Sequence, residues 1–276
     1  MKLLRMPDSK SKEKPESLQK KLGKTRTPEK PANNEEIKYI FLDKTVFFPP
    51  SGILAVGDLH LGYELMLRQS GVSLPESQVK ETIESLKNIF SGVKEMGYAL
   101  KKIVFLGDIK HYFGFEYKER KIFDEVLEFL RQHFKESNII LIKGNHDKMD
   151  YSGKKMKNYY IEGGICFLHG HMTFPQMHEE KVMMIVMGHL HPSVIISDKS
   201  NIKREKFKCF LVGRMFGKEA IVLPSYFDIM EGTSINDYSE EYHKYFSIIP
   251  KEDVMNFRAM VIGENGVYDF GKVKDL

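Results

Sequence analysis

Five short runs of potential metal ligands recur along the chain in a fixed order, each closing an apolar stretch: Asp58-Leu59-His60, Gly107-Asp108, Gly144-Asn145-His146-Asp147, His169-Gly170-His171 and Gly188-His189-Leu190-His191. Their carboxylate, amide and imidazole donors suit a divalent first-row ion such as Mn²⁺, Fe²⁺ or Zn²⁺ and do not suit a thiolate site. Each run alone is a weak signal. Gly-Asp is an ordinary turn dipeptide, Asp-x-His and His-x-His occur on many surfaces, and Asp147 can simply close the turn around Gly144. Five in order, each behind an apolar run, point instead to a hydrolase that uses two metal ions.

The elements that must hold these residues are legible as periodicity. Strand patterns cover 38–48, 52–56, 102–106, 138–142, 164–168 and 182–187. Two helices lie between them. Pro75-Glu76-Ser77 opens the first, where Val79, Ile83, Leu86, Phe90 and Val93 recur at three- and four-residue spacing until Gly97. The second runs over about 117–134 and gathers Ile122, Val126, Leu127, Phe129, Leu130 and Phe134 on one broad face. Beyond His191 the pattern turns to strands alone, at 207–212, 219–223, 242–249, 256–262 and 266–270. An early half of strand-helix units and a later half of strands imply an α/β fold with two packed sheets flanked by helices.

Every motif then sits at the carboxyl end of a strand, where open α/β sheets bind ligands. Positions i and i+2 of a strand share a face, so Asp58 with His60, and His189 with His191, can each present two donors to one pocket if the extended geometry continues past the strand end. Gly57, Gly107, Gly144, Gly170 and Gly188 let the backbone turn sharply there.

Composition narrows the class. The 276 residues are 42% hydrophobic and 29% charged, enough for one sizeable core, and the longest unbroken apolar run, 182–187, is far short of a bilayer span. No secretory apolar run follows the N-terminal lysines, so a cytoplasmic protein without a membrane partner is expected. Two cysteines, Cys166 and Cys209, suggest buried reduced thiols. Residues 1–36 carry ten basic and six acidic side chains, which account for the whole formal charge of +4. With four prolines and few aliphatics, this segment reads as a disordered, weakly basic tail ahead of a folded domain at 37–276, either a solvated appendage or a phosphate-contact arm.

The five motifs resemble those of the calcineurin-like metallophosphoesterase superfamily across Gly57 to His191. The resemblance implies a four-layer α/β/β/α sandwich with a dinuclear metal centre between the ends of its sheets. It implies that Asp58, His60 and His191 hold one metal, that Asn145, His169 and His189 hold the other, and that Asp108 bridges them. His146 would stand outside the ligand shell as a proton donor, with Asp147 orienting it, and His171 would face the site from beyond the ligands. Mn²⁺ is the expected metal, with Fe²⁺, Zn²⁺ or Ni²⁺ as alternatives. Two divalent ions set against two carboxylates and a bridging hydroxide leave a net positive centre that attracts a phosphoester and directs the hydroxide in line at phosphorus.

The second motif continues Ile109-Lys110-His111, where the protein phosphatases of this superfamily place a phosphate-clamping Arg. A His three residues after the bridging Asp is similar to the nuclease subunit of the double-strand-break repair complex and to the ligase-associated DNA-damage-response phosphoesterases. The latter likeness extends to Asp58-Leu59-His60-Leu61-Gly62, Gly188-His189-Leu190-His191-Pro192 and Leu223-Pro224-Ser225-Tyr226-Phe227 before Gly232. A metal-dependent phosphodiesterase acting on nucleic acid or nucleotides, with His111 and His146 serving catalysis, is the reading that follows. The alternatives are a phosphomonoesterase on a small metabolite and a non-catalytic scaffold of the same fold.

Overall fold

The computed structural model describes residues 39–75, 77–111, 117–147, 155–198, 203–237 and 247–276. The expected tail at 1–36 and the first part of the strand expected at 242–249 lie outside these residues, and positions 247–249 are not in a strand.

The first half builds a five-stranded sheet. β1 (Ile40–Leu42), β2 (Thr45–Phe48), β3 (Ile53–Val56), β4 (Lys102–Phe105) and β5 (Ile139–Leu141) lie in that order, antiparallel up to β3 and parallel from β3 to β5. The single strand expected at 38–48 is a hairpin: Asp43 turns the chain at φ 50°, and Phe47 pairs back with Ile40. Three helices follow the strands: α1 (Tyr63–Gln69), which has no counterpart in the sequence reading, α2 (Gln78–Glu95) and α3 (Tyr117–Arg131). Leu86, Ile89 and Val93 of α2 and Val126, Leu127 and Leu130 of α3 bury their apolar stripes against Leu54, Val56, Ile103 and Phe105 of the sheet.

Among the described residues the second sheet has nine strands. It comprises β6 (Tyr159–Glu162), β7 (Ile165–Leu168), β8 (Met184–Met187), β9 (Pro192–Ser197), β10 (Arg204–Met215), β11 (Lys218–Val222), β12 (Thr233–Ser234), β13 (Arg258–Gly263) and β14 (Gly266–Lys272). The order β12-β9-β10-β11-β8-β7-β6 is extended by β13 on β10 and β14 on β13. Sequence periodicity does not mark β6 or β9, whose residues are largely half-buried and carry no sustained apolar run.

Strand alternation divides the interior into layers. Ile53 and Ala55 of β3, Val104 of β4, Phe167 of β7, Val186 of β8 and Ile221 of β11 meet between the two sheets, with Phe48 edge-on to Phe167 at 5.7 Å. Leu54 and Val56 face the helices instead. The outer face of the second sheet packs Cys166, Leu168, Ile185 and Met187 under Met177, Val254 and Phe257; among the described residues its cover is the four-residue α4 (Lys251–Val254) and short 3₁₀ turns. The four-layer α/β/β/α order holds with unequal outer layers. Cys166 and Cys209 are buried free thiols, and burial pushes the Cys166 thiol up to about 11.

Candidate metal centre

All five motifs follow strand ends, at β3, β4, β5, β7 and β8, and converge where the two sheets open. Asp58, His60 and His191 bring ligand atoms within 4.8 Å of one another, and so do Asp108, His169 and His189. Each triad draws on both sheets: Asp58, His60 and Asp108 come from the first, His169, His189 and His191 from the second. Asp58, His60, Asp108 and His169 form a buried floor, while His146, His189 and His191 stand half-buried at the rim beside the exposed Asn145.

The strands do not deliver these side chains by continued extension. His60, His189 and His191 have φ of 45°, 67° and 45°, and Asp108 has 41°. Non-glycine residues rarely enter this left-handed region, and four of them in one site mark backbone strain held by surrounding contacts. The holding contacts are visible. His60 N donates to Asp108 O at 2.9 Å, Gly188 N to His169 O at 3.0 Å, and His189 N to the Asp58 carboxylate at 3.0 Å. The extended geometry therefore does not continue past the strand ends, and His189 and His191 point into different triads, the partition the motif resemblance implies. The glycines also differ in purpose from the turn role expected of all five. Gly144 and Gly188 are needed for space: a Cβ would lie 2.0 Å from Asp108 Oδ1 on the former and 2.3 Å from Asp58 Oδ2 on the latter.

The donor set fits cations. His169 Nδ1 lies 2.9 Å from Leu106 O, and only an N–H can donate to a carbonyl, so in the neutral ring Nε2 is a bare acceptor. That acceptor faces Asn145 Oδ1 at 3.0 Å, His189 Nδ1 at 3.1 Å and Asp108 Oδ2 at 3.4 Å. In the other triad His60 Nε2 meets His191 Nε2 at 3.1 Å, and His191 Nε2 meets Asp58 Oδ1 at 3.3 Å. Lone pairs that converge in this way require a proton or a metal ion between them.

Charge tells the same story. Burial by itself would raise the Asp58 carboxyl, but His191 and His169 hold it well below the usual carboxylate range, and His169 likewise lowers Asp108 against its burial. Burial and His191 push His60 down to about 3, which leaves it a neutral ligand-type imidazole. Burial opposes protonation of His169, yet its contacts with Asp108 and Asp58 raise it to about 9. The two carboxylates demand positive charge, and the divalent ions of a loaded centre would supply it.

His146 is oriented rather than free. Its backbone N–H donates to Asp108 Oδ1 at 2.9 Å, and its Nδ1 lies 2.9 Å from His111 O, so Nδ1 carries a proton and Nε2, 3.9 Å from Asp108 Oδ2, faces the triads. Asp147 accepts from Gly144 N at 3.0 Å and Ile109 N at 3.4 Å; these bonds close the turn and tie the third motif to the second. His111 places Nδ1 3.4 Å from His60 Nδ1, packs against the Tyr63 ring at 4.6 Å, and is pushed down to about 4 by burial and by His146. His171 stands outside both triads, its ring 5.2 Å from that of His169 and its buried Nδ1 without a hydrogen-bond partner among the described residues.

A supporting layer escaped the sequence reading. Buried Gln78 donates to Leu59 O at 3.2 Å and His60 O at 2.9 Å and accepts from Gly62 N at 3.1 Å, which fixes the strained turn of the first motif. Glu64, also buried, accepts from Ser77 N and Gln78 N at 3.0 Å each, a carboxylate at the N-terminus of α2. One signal was present: Gln78 is in phase with Thr82, Leu86 and Ile89, a polar residue on a stripe that is otherwise core.

Known proteins agree with the fold and family. The model of the calcineurin-like phosphoesterases matches residues 52–201, and the chain belongs to that family of metal-dependent phosphoester hydrolases. Among solved structures, nuclease MPE of Pseudomonas putida is 16% identical, with 83% of this chain and 92% of that chain covered and a TM-score of 0.53. A Vps29 single mutant from Entamoeba histolytica is 15% identical over 79% of this chain and 99% of that chain, with a TM-score of 0.34. A Streptococcus pneumoniae protein described as a predicted phosphoesterase is 14% identical over 83% and 95%, with a TM-score of 0.32. The first shares the fold; the other two superpose too loosely to bear on the site. No curated protein matches the sequence. Among the described residues, no helix is long and apolar enough to cross a membrane.

Proposed function

We propose that the protein is a dinuclear metal-dependent phosphodiesterase acting on nucleic acid or nucleotides, with Mn²⁺ as its preferred metal and the cytoplasm as its compartment. Asp58, His60 and His191 would hold one ion, and Asn145, His169 and His189 the other, with Asp108 shared. Bound there, the ions would supply Lewis-acid charge and lower the pKa of a coordinated water. The chain's own residues do the rest. His146, its Nδ1–H anchored on His111 O, presents Nε2 to the substrate and, when protonated, gives that proton to the leaving oxygen. Asp147 serves by locking the turn that carries His146.

The observation that carries the diester reading is His111. It follows the bridging carboxylate where the superfamily's protein phosphatases place an arginine, and its ring is held neutral by burial and by His146. A neutral imidazole is a weak clamp for a dianionic monoester and tolerates the single charge of a diester. The nuclease name of the P. putida protein points the same way without carrying the reading, because that likeness is one of fold. The test is turnover of bis(nitrophenyl) phosphate against nitrophenyl phosphate by the Mn²⁺-loaded protein. Faster diester cleavage is expected, with His111→Ala reducing it more than metal content. A preference for the monoester, unchanged by His111→Ala, would replace the reading with a phosphomonoesterase.

A further inference from the structure

The segment 223–233, after β11, meets the first triad through its backbone. Pro224 O occupies the space where a Cβ on Gly57 would stand, 2.4 Å away, and Tyr226 N donates to Asp58 O at 2.9 Å. At its far end a Cβ on Gly232 would lie 2.1 Å from His191 O, and Thr233 N donates to that same carbonyl at 2.8 Å. The loop therefore backs both Asp58 and His191, residues from different sheets that must meet at one ion.

Lysines hold this loop by its carbonyls. Lys208 Nζ donates to Ser225 O at 2.9 Å and to Phe227 O, the residues on either side of Tyr226. Lys206, two residues earlier and on the same face of β10, donates to Gly232 O at 2.6 Å. Lys44 pairs with Asp228 at 2.6 Å, and Tyr226 Oη donates to Ser85 Oγ at 2.7 Å on α2. Burial and the nearby Lys44 push Lys208 down to about 7, against the pull of Asp228 and Asp43, so this contact is kept at an electrostatic cost.

We propose that Lys208 is a positioning residue for the first triad: by gripping the loop on both sides of Tyr226 it holds Asp58 in place and so sets divalent-cation affinity at that half of the centre. The inference rests on the two-metal reading above. Partners behind a ligand change metal affinity by about 10–100-fold in other metal sites, which sets the size of the effect.

A matched control lies in the same sheet. Lys218 Nζ donates to Glu179 O at 2.9 Å and Val182 O at 2.5 Å, a like grip on two carbonyls at the end of β8 remote from the motifs. The experiment is calorimetric titration of the metal-stripped full chain with Mn²⁺, with thermal melting of the stripped protein in parallel. Wild type should take up two ions. Lys208→Met should weaken one of them by about tenfold or more and leave the other within about twofold, whereas Lys218→Met should lower the melting temperature comparably and move neither affinity. Lys206→Met, acting through Gly232 and His191, should weaken the same ion as Lys208→Met and serves if Lys208→Met does not fold. Two wild-type ions with Lys208→Met and Lys218→Met indistinguishable in affinity would overturn the positioning role alone. A wild-type chain that binds fewer than two ions would overturn the two-metal reading and the inference with it.

Discussion

At the scale of single residues, the proton on His146 Nε2 distinguishes acid catalysis from positioning. If its Nε2 donates to the leaving oxygen, His146→Asn should slow esters with poor alkoxide leaving groups by about 10²–10⁴ and nitrophenolate esters far less. Equal losses on both, or loss of bound metal, would assign His146 to positioning instead. Asp108 is expected to be the costliest single ligand, because its two oxygens face both His169 and the His146 backbone. Asp108→Asn should abolish turnover and lower the metal content, and a fully active variant would refute the shared-carboxylate role. Gly188→Ala tests the space argument. Its methyl has no room beside Asp58, so metal binding should fall although no ligand has been changed.

At the scale of elements, what matters is how short loops hold left-handed residues between strands and their supports. The network from Glu64 through Gln78 to the Leu59 and His60 carbonyls makes α2 part of the site although it carries no ligand. Gln78→Leu should keep the helix, whose stripe it would complete, yet loosen the first motif and weaken metal binding; unchanged metal affinity would count against that link. Lys208 adds a pH dependence of known sign. Its folded value near 7 lies below the ordinary 10.5, so between those limits the unfolded chain binds one proton more than the folded one. Stability from this group must rise with pH across that window and be lost as pH falls to 7. Lys208→Met should flatten the melting temperature between pH 7 and 9.5, with Lys44, Asp43 and Asp228 as the charged neighbours that modulate the slope.

At the scale of the molecule, the centre is a joint between two sheets. Each triad takes donors from both, so divalent ions bound there must brace one sheet against the other as well as serve chemistry. An ion at about 100 times its dissociation constant should add about 2.7 kcal/mol of stability, and chelation should lower the melting temperature accordingly. Absence of any chelator effect would mean that the triads do not hold metal in the folded state. The inter-sheet core should matter to the site for the same reason. Truncating Phe167, which packs on Phe48 across the sheets, should cost about 3–5 kcal/mol and loosen metal binding together with the fold.

The chain by itself determined the order of strands that carry the five motifs, the stripes of α2 and α3, and the identity of the residues that converge. Those are local properties: a donor type, a period of two or of three to four, a glycine beside a ligand. The partition of the donors into two sets already follows from the motif resemblance; tertiary structure decided the backbone geometry that delivers them. His189 and His191 reach different triads through left-handed turns that contacts from the other sheet stabilise, and those turns override strand alternation. It also decided that Asp147 closes a turn, that Gly144 and Gly188 answer to crowding, and that Gln78, Glu64 and Lys208 support residues distant in sequence. Nothing periodic or local marks a lysine whose partners are backbone carbonyls of a loop from another strand. Such roles come into being only when packing places those groups within hydrogen-bond reach, since the bond depends on three-dimensional distance and no sequence spacing encodes it.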